Sequence, residues 1–176
     1  MAISDAFYSE IDTAEPLSII MKISVFRDKS TKQISNFVQG IVNKTFYYSK
    51  SARSKEIKKF SPLAVKKDLK DKNKLFLIAK DDNRIAGVLN GYYEAGMFWI
   101  DWIVVGSSFR RNGVAKSLMN YLEKKLKREK IHKIWCDCRT TNKESISLLK
   151  KLKFKKIAKI KRHWYKQDFY LWQKYL

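Results

Sequence analysis

Residues 110–116 place basic side chains and a glycine where an amphipathic helix begins. The segment reads RRNGVAK and follows a hydrophobic strand-like run, so Gly113 stands at a strand-to-helix turn. The first amides of a helix lack intrahelical partners and lie at the positive end of its dipole, which favours a bound phosphate. A glycine also allows close approach to the main chain. The segment predicts a phosphate or pyrophosphate site, and an ordinary loop-to-helix junction is the alternative.

Two aspartates interrupt otherwise apolar runs. Asp101 lies within MFWIDWIVV, and Asp137 lies between two cysteines in IWCDCR. A charge among apolar side chains is costly unless it is paired, so each carboxylate needs a partner or a function. In a partly desolvated cleft a carboxylate can be tuned to accept a proton. The alternative is that either aspartate only accepts hydrogen bonds from Arg139 or nearby backbone.

The hydrophobic pattern predicts the elements that must position these residues. Alternation indicates strands, and apolar residues at helical spacing behind capping residues indicate helices. Together they predict a single mixed sheet with helices on its faces. The predicted order is a strand from Met21, helices after Ser30 and Ser61 separated by a basic stretch, three strands, a helix over 112–129, a strand, a helix after Thr141, and strands over 154–164 and 168–175.

Length and composition limit the class of protein. The 176 residues are 45% hydrophobic, which indicates one globular domain over 21–176, and residues 1–20 differ in their acidic tone and are predicted to be an extension. No apolar run approaches the roughly 20 residues of a membrane span, and no secretory signal begins the chain, so we expect a cytoplasmic protein. The two histidines and two cysteines lack metal-ligand spacing, so no metal is expected.

The net charge of +21 attracts anions, whether nucleic acid, acidic protein or a polyphosphate cofactor. The lysines are spread through nearly every segment, so they also fit solvated faces of helices and strands. No nucleic-acid-binding motif accompanies the charge. Composition therefore leaves both interpretations open.

Two spaced motifs resemble those of the GNAT superfamily of N-acetyltransferases. Arg110-x-x-Gly113-x-Ala115 after a strand is similar to its acetyl-CoA signature, Arg/Gln-x-x-Gly-x-Gly/Ala. Roughly thirty residues later, NKESISLLKKLKF resembles the second motif, Asn-x-x-Ala-x-x-Leu-Tyr-x-x-x-Gly-Phe. Asn142, Leu148 and Phe154 match that pattern, whereas Ser145 and Lys153 replace its alanine and glycine.

The resemblance covers the predicted elements from residue 21 to the end. It implies a single-domain α/β fold with a mixed, mostly antiparallel sheet of six to seven strands flanked by about four helices. It also implies that two central strands separate to admit the pantetheine arm of acetyl-CoA. The implied cofactor-binding residues are Ile103, Val104 and Val105 along the arm, Arg110, Arg111, Asn112, Gly113, Val114, Ala115 and Lys116 at the pyrophosphate, and Asn142 with Ser145. A place in the first turn of a capped helix is the structural alternative for Asn142.

The implied reaction is attack of a primary amine on the thioester of acetyl-CoA. An alkyl ammonium must first lose a proton, so Asp101 and Asp137 are the candidate catalytic bases, and the sequence does not rank them. Many relatives carry a tyrosine acid where this chain has Leu149, so Tyr165 or Tyr170 could substitute, with packing of a sheet face as their structural alternative. The stretch RHWYKQDFY resembles an acceptor-facing loop, which makes Tyr165 a candidate substrate-binding residue.

We therefore expect an acetyl-CoA-dependent N-acetyltransferase acting on a protein N-terminus, a lysine or a small-molecule amine, with no membrane partner. A non-catalytic acyl-CoA-binding regulatory module is one alternative, favoured by Leu149. A basic nucleic-acid-associated protein is the other, favoured by the charge. The sequence identifies neither the acceptor nor the oligomeric state.

Overall fold

The computed structural model describes residues 21–27, 30–45 and 48–176, so the predicted extension over 1–20 lies outside the described residues. The strands are β1 (Lys22–Val25), β2 (Lys74–Asp81), β3 (Arg84–Glu94), β4 (Met97–Val105), β5 (Lys133–Arg139), β6 (Lys155–Ile160) and β7 (Phe169–Tyr175). The helices are α1 (Thr31–Lys44), α2 (Lys50–Lys59), α3 (Pro62–Asp68), α4 (Val114–Arg128) and α5 (Lys143–Lys151).

All seven described strands join one sheet in the order β1-β2-β3-β4-β5-β7-β6. The pairing of β4 with β5 is parallel, and the other five described pairings are antiparallel. The prediction of a mixed, mostly antiparallel sheet of six to seven strands is therefore confirmed. Parallel neighbours need a long crossover connection, and α4 supplies it between β4 and β5.

Helices cover both faces of the sheet, which explains why the central strands are apolar on both sides. Leu75 and Leu77 of β2 face a core shared with α4 and α5, whereas Phe76 and Ile78 face a second core built by α1 and α3. Successive side chains of a strand alternate between faces, so one strand feeds both cores. The sheet is thus held rigidly from both sides around its centre.

Helix α2 is the one α-helix of the described residues that the sequence analysis did not predict. It is formed by the basic stretch between the first two predicted helices, and of its ten residues only Ala52 and Glu56 are buried. Without an apolar stripe, helical periodicity gives no signal. The Ser49 hydroxyl accepts the Ala52 amide at its start, and buried Phe60 follows its end. This helix turns out to position side chains of the candidate site.

Candidate active site

An opening separates β4 from β5 in the middle of the sheet. The two strands pair over Met97–Ile100 and Lys133–Cys136, and in the described part of the chain no pairing joins them beyond that point. The rest of β4 is paired with β3 and the end of β5 with β7. Main-chain N–H and C=O groups along the two facing edges therefore need other partners. A groove of about 2570 Å³ runs along this opening.

A β-bulge lies where the strands part. Gly91 of β3 is opposite Ile100, and Asn90 is opposite Trp102, so Asp101 is the extra residue on β4. A Cβ at Gly91 would lie 2.1 Å from a main-chain oxygen of β4, so this close approach requires glycine. Bulges bend a strand and redirect side chains, and this one directs Asp101 into the groove.

The turn before α4 has the geometry predicted for an anion site. Arg111 and Gly113 have φ of 64° and 74°, and Gly113 is the N-cap residue without a side-chain capping bond. No heavy atom lies within 4 Å of where a Cβ at position 113 would project, so the helix start is open. Arg110, Arg111 and Lys116 are exposed around it, and the first turn contains no acidic residue. Amides, arginines and a lysine are donors suited to a pyrophosphate.

Most of the predicted cofactor residues line this groove. Val114 does so from the buried start of α4, where its side chain belongs to the core. Asn142 caps α5, because its Oδ1 accepts a hydrogen bond from the Ser145 amide at 3.1 Å. Asn142 therefore has the helix-capping place given above as its structural alternative, and it also lines the groove. Asn112 is exposed and does not line the groove. The lining residues of the predicted set are Ile103, Val104, Val105, Arg110, Arg111, Gly113, Val114, Ala115, Lys116, Asn142 and Ser145.

Asp101 is held by partners from two other elements. Its Oδ1 lies 2.8 Å from Lys59 Nζ at the end of α2. Its Oδ2 accepts a hydrogen bond from Asn90 Nδ2 on β3 at 3.4 Å. The Lys59 and Asp101 side chains are 42% and 26% exposed, so this ion pair is accessible to water and contributes at most about 1 kcal/mol.

Asp137 lies in a less solvated environment on the same face of the sheet. Its Oδ2 accepts the Trp164 indole N–H at 2.9 Å and lies 3.5 Å from His163 Nε2. Burial raises the pKa of Asp137, and the negative charge of Asp101 adds to the rise, while the hydrogen bonds and the histidine oppose it. An effective general base at neutral pH has a pKa of about 7, so a raised pKa makes a carboxylate better suited to this role.

Tyr165 lines the groove next to α2. Its hydroxyl donates to Glu56 Oε1 at 2.8 Å and so connects α2 to the loop before β7. Burial and the Glu56 carboxylate raise the pKa of Tyr165 to about 12, so this phenol stays protonated at neutral pH. Its backbone is left-handed, with φ of 54°. Glu56 itself is buried, and its Oε2 has no hydrogen-bond partner.

The other tyrosine candidate for proton transfer lies away from the groove. Tyr170 packs against the core on the α4 side, edge-to-face with Trp172, and does not line the groove. The expectation that it could replace the usual acid is therefore corrected, because alternation along β7 turns it to the opposite face from Asp137. Leu149, which replaces the usual tyrosine, is buried in the same core.

The two cysteines are packing residues. Cys136 and Cys138 are free and buried, and they face the α4 core while Asp137 faces the groove. Burial raises the pKa of Cys136 well above its usual range and that of Cys138 to about 11. Both thiols therefore stay protonated and act as packing groups.

Several groove residues were missed at the sequence level. Glu56, Lys59, His163 and Trp164 enter the site from segments far from β4 and β5. Arg139 is also buried there, with its guanidinium 4.4 Å from the centre of the Tyr48 ring. Only the resemblance of RHWYKQDFY to an acceptor-facing loop pointed toward this region.

Sequence comparison supports the motif assignment. The model of the acetyltransferase (GNAT) family matches residues 39–154. No curated protein is significantly similar in sequence. In the described ranges no helix combines the length and apolarity of a membrane span, and those residues contain no group of three or more potential metal ligands.

Solved structures share the fold at low sequence identity. PaiA N-acetyltransferase from Thermoplasma acidophilum, in complex with coenzyme A, has a TM-score of 0.75 at 16% identity, covering 88% of this chain and 99% of its own. The Escherichia coli ribosomal-protein-S18-alanine N-acetyltransferase gives 0.69 at 14%, covering 89% and 94%. Ard1 from Thermoplasma volcanium gives 0.68 at 19%, covering 89% and 97%.

Proposed function

This chain belongs to the acetyltransferase (GNAT) family, and from that membership we infer that it is an acetyl-CoA-dependent N-acetyltransferase acting on a primary amine of a protein or small molecule. One observation carries the proposal: β4 and β5 separate beside the open Gly113 turn, and two carboxylates lie where they part. These features support an anion site, a slot for an extended arm and proton acceptors within one groove.

Acetyl-CoA would supply the acetyl group activated as a thioester. The amides at the start of α4, with Arg110, Arg111 and Lys116, would hold its pyrophosphate. The unpaired main-chain edge of β4 over 103–105 would hydrogen-bond the amide groups of the arm as an added strand does. This arrangement directs the thioester end toward the point where the strands part.

The two carboxylates have different surroundings, and we assign them different tasks. Asp137 would remove the amine proton, directly or through a water, because its raised pKa makes it the better proton acceptor near neutral pH. Asp101 would hold the incoming ammonium, as it holds the Lys59 ammonium here. Both tasks precede attack on the thioester carbonyl.

Tyr165 is the tyrosine predicted from the sequence that lines the groove, where it could protonate the departing sulfur or contact the acceptor. Its pKa of about 12 keeps the hydroxyl protonated, so it can donate and cannot serve as the base. An acid is not essential, because a thiol with a pKa near about 8.5 leaves readily as thiolate. We therefore assign Tyr165 to acceptor recognition.

Leu149 is buried at the position where many relatives carry a tyrosine acid. The absence of that acid favours a second candidate, an acyl-CoA-binding module without turnover. Calorimetry with acetyl-CoA, followed by measurement of coenzyme A thiol release in the presence of an amine panel, separates the two. The proposed enzyme binds acetyl-CoA and releases thiol only with an acceptor. A binding module shows saturation without release, and absence of any binding contradicts both.

The acceptor can be found with labelled acetyl-CoA in a cell extract. Mass spectrometry of the labelled products, with the Gly113→Asp variant as the matched control, distinguishes acetylated protein N-termini, lysines and small amines. Equal labelling by the native protein and by the Gly113→Asp variant would contradict the proposed reaction.

A further inference from the structure

Helix α2 brings a primary amine of the chain itself into the opening. Lys59 Nζ lies 2.8 Å from Asp101 Oδ1, at the bulge where β4 leaves β5. The Lys59 side chain is partly exposed and lines the same groove as Asp137. An amine is thus placed beside Asp101, in the groove that Asp137 also lines, at the inner end of the proposed arm slot.

The backbone on both sides of Lys59 is anchored, so this placement does not depend on the ion pair alone. Phe60 is buried and packs edge-to-face on Trp102 of β4, with 5.3 Å between ring centres. One turn earlier, Glu56 is buried and accepts the Tyr165 hydroxyl. Fully burying a phenylalanine contributes about 1.5–3 kcal/mol, so the end of α2 stays on β4 while the lysine stem moves.

We propose that Lys59 is a self-acetylation site, modified by intramolecular transfer from acetyl-CoA bound in the groove. The inference rests on the proposed function, because it needs the thioester at the strand opening. An amine confined next to a reacting group behaves as if it were at very high concentration, which makes the internal lysine an effective acceptor.

The transfer balances without a further reactant. Asp101 holds the Lys59 ammonium, which gives one proton, directly or through a water, to Asp137, and Asp137 releases it to solvent. The neutral nitrogen attacks the thioester carbonyl, a C–N bond forms and the C–S bond breaks. Coenzyme A leaves as thiolate and receives the second nitrogen proton, so the products are acetyl-lysine, coenzyme A thiol and one proton.

The neighbouring lysines supply internal controls. Lys58 is exposed on the same helix but does not line the groove. Lys55 lines the groove, and its Nζ lies 5.9 Å from the centre of the Tyr165 ring. Acetylation caused by chemical reactivity alone would modify Lys58 at least as fast as Lys59, whereas transfer within the groove selects Lys59 over Lys58.

The test incubates the full-length protein with acetyl-CoA and no added amine, then follows each lysine by peptide mass spectrometry. We expect Lys59 to acetylate at least about tenfold faster than Lys58, at a rate independent of protein concentration. Lys59→Arg should abolish the modification, Lys58→Arg should leave it unchanged, and Asp137→Asn should slow it at least about tenfold.

Three outcomes would overturn the inference. They are equal acetylation of Lys58 and Lys59, unchanged Lys59 acetylation in Gly113→Asp, and a first-order rate constant that rises with protein concentration. Unmodified Lys59 in a protein that binds acetyl-CoA and acetylates added amines would refute self-acetylation alone. A protein that neither binds acetyl-CoA nor releases thiol would refute the proposed function as well.

Discussion

The two halves of the groove are built in different ways. The half that we propose for the cofactor, the cofactor half, uses main-chain atoms and a glycine from one continuous segment, 103–116. The half that we propose for the amine, the acceptor half, uses side chains from α2, β4, β5 and the loop before β7, and its Tyr165–Glu56 hydrogen bond joins residues 109 apart in sequence. A common co-substrate can be bound by a local backbone motif, whereas acceptor choice depends on long-range contacts that differ between members of one fold.

The largest expected effect is in the cofactor half. Gly113→Asp should weaken acetyl-CoA binding about 100-fold, or about 2.8 kcal/mol, because a carboxylate would face the pyrophosphate. Space is open at position 113, but its φ of 74° strains a residue other than glycine, so the variant should fold with a modest loss of stability. Calorimetry measures the affinity, and circular dichroism checks the fold.

Gly113→Asn is the matched control for this variant. Asparagine has nearly the same size and tolerates the left-handed conformation, but carries no charge. Gly113→Asn should therefore bind acetyl-CoA nearly as tightly as the native protein does. Equal losses in the two variants would mean that backbone shape, and not charge, governs binding at this turn.

The second largest effect is expected in the acceptor half. Asp137→Asn should lower kcat/KM roughly 10²–10⁴-fold, the usual contribution of a general base, while acetyl-CoA affinity stays unchanged. In the native protein, activity should fall as pH drops through the raised pKa of Asp137, because protonated Asp137 cannot accept a proton. The variant should lose that acidic limb, and a limb that persists would assign the base elsewhere.

Thermal unfolding provides an independent check on Asp137. Its folded-state pKa is raised, so the protonated form is favoured in the native state, and this stabilisation is lost as pH rises through the folded pKa. Asp137→Asn removes the buried charge while its amide oxygen can still accept the Trp164 N–H. Its Tm at neutral pH should therefore equal or exceed that of the native protein.

The contrast between the halves also explains which parts of the groove the sequence predicts and which it does not. Gly113 and Asn142 belong to motifs of fixed spacing, so the groove wall around them was predicted together with the sheet. Lys59 and Glu56 lie on a helix without an apolar stripe, and no local pattern indicates that its end packs on β4. The partners of Asp137 were missed for the same reason, since Trp164 is 27 residues away along the chain.

A smaller change tests the link across the acceptor half. Tyr165→Phe removes the hydroxyl that satisfies buried Glu56, and leaving such an acceptor unpaired costs about 1–3 kcal/mol. We expect the KM for the acceptor amine to rise about three- to tenfold with little change in kcat. Steady-state kinetics with saturating acetyl-CoA measures both. A fall in kcat at constant KM would instead assign Tyr165 to protonation of the departing sulfur.

The smallest expected effect concerns the ion pair at the bulge. Lys59→Ala removes an ammonium that occupies Asp101, so a cationic acceptor should bind more readily, with a KM about two- to fivefold lower. The effect is modest because both side chains are partly exposed and water already screens the pair. Lys58→Ala is the matched control, since it removes the same charge from α2 outside the groove. An equal decrease in both variants would reflect only the loss of repulsion between α2 and a cationic amine, whereas a higher KM in Lys59→Ala would show that the lysine orients Asp101 for the acceptor.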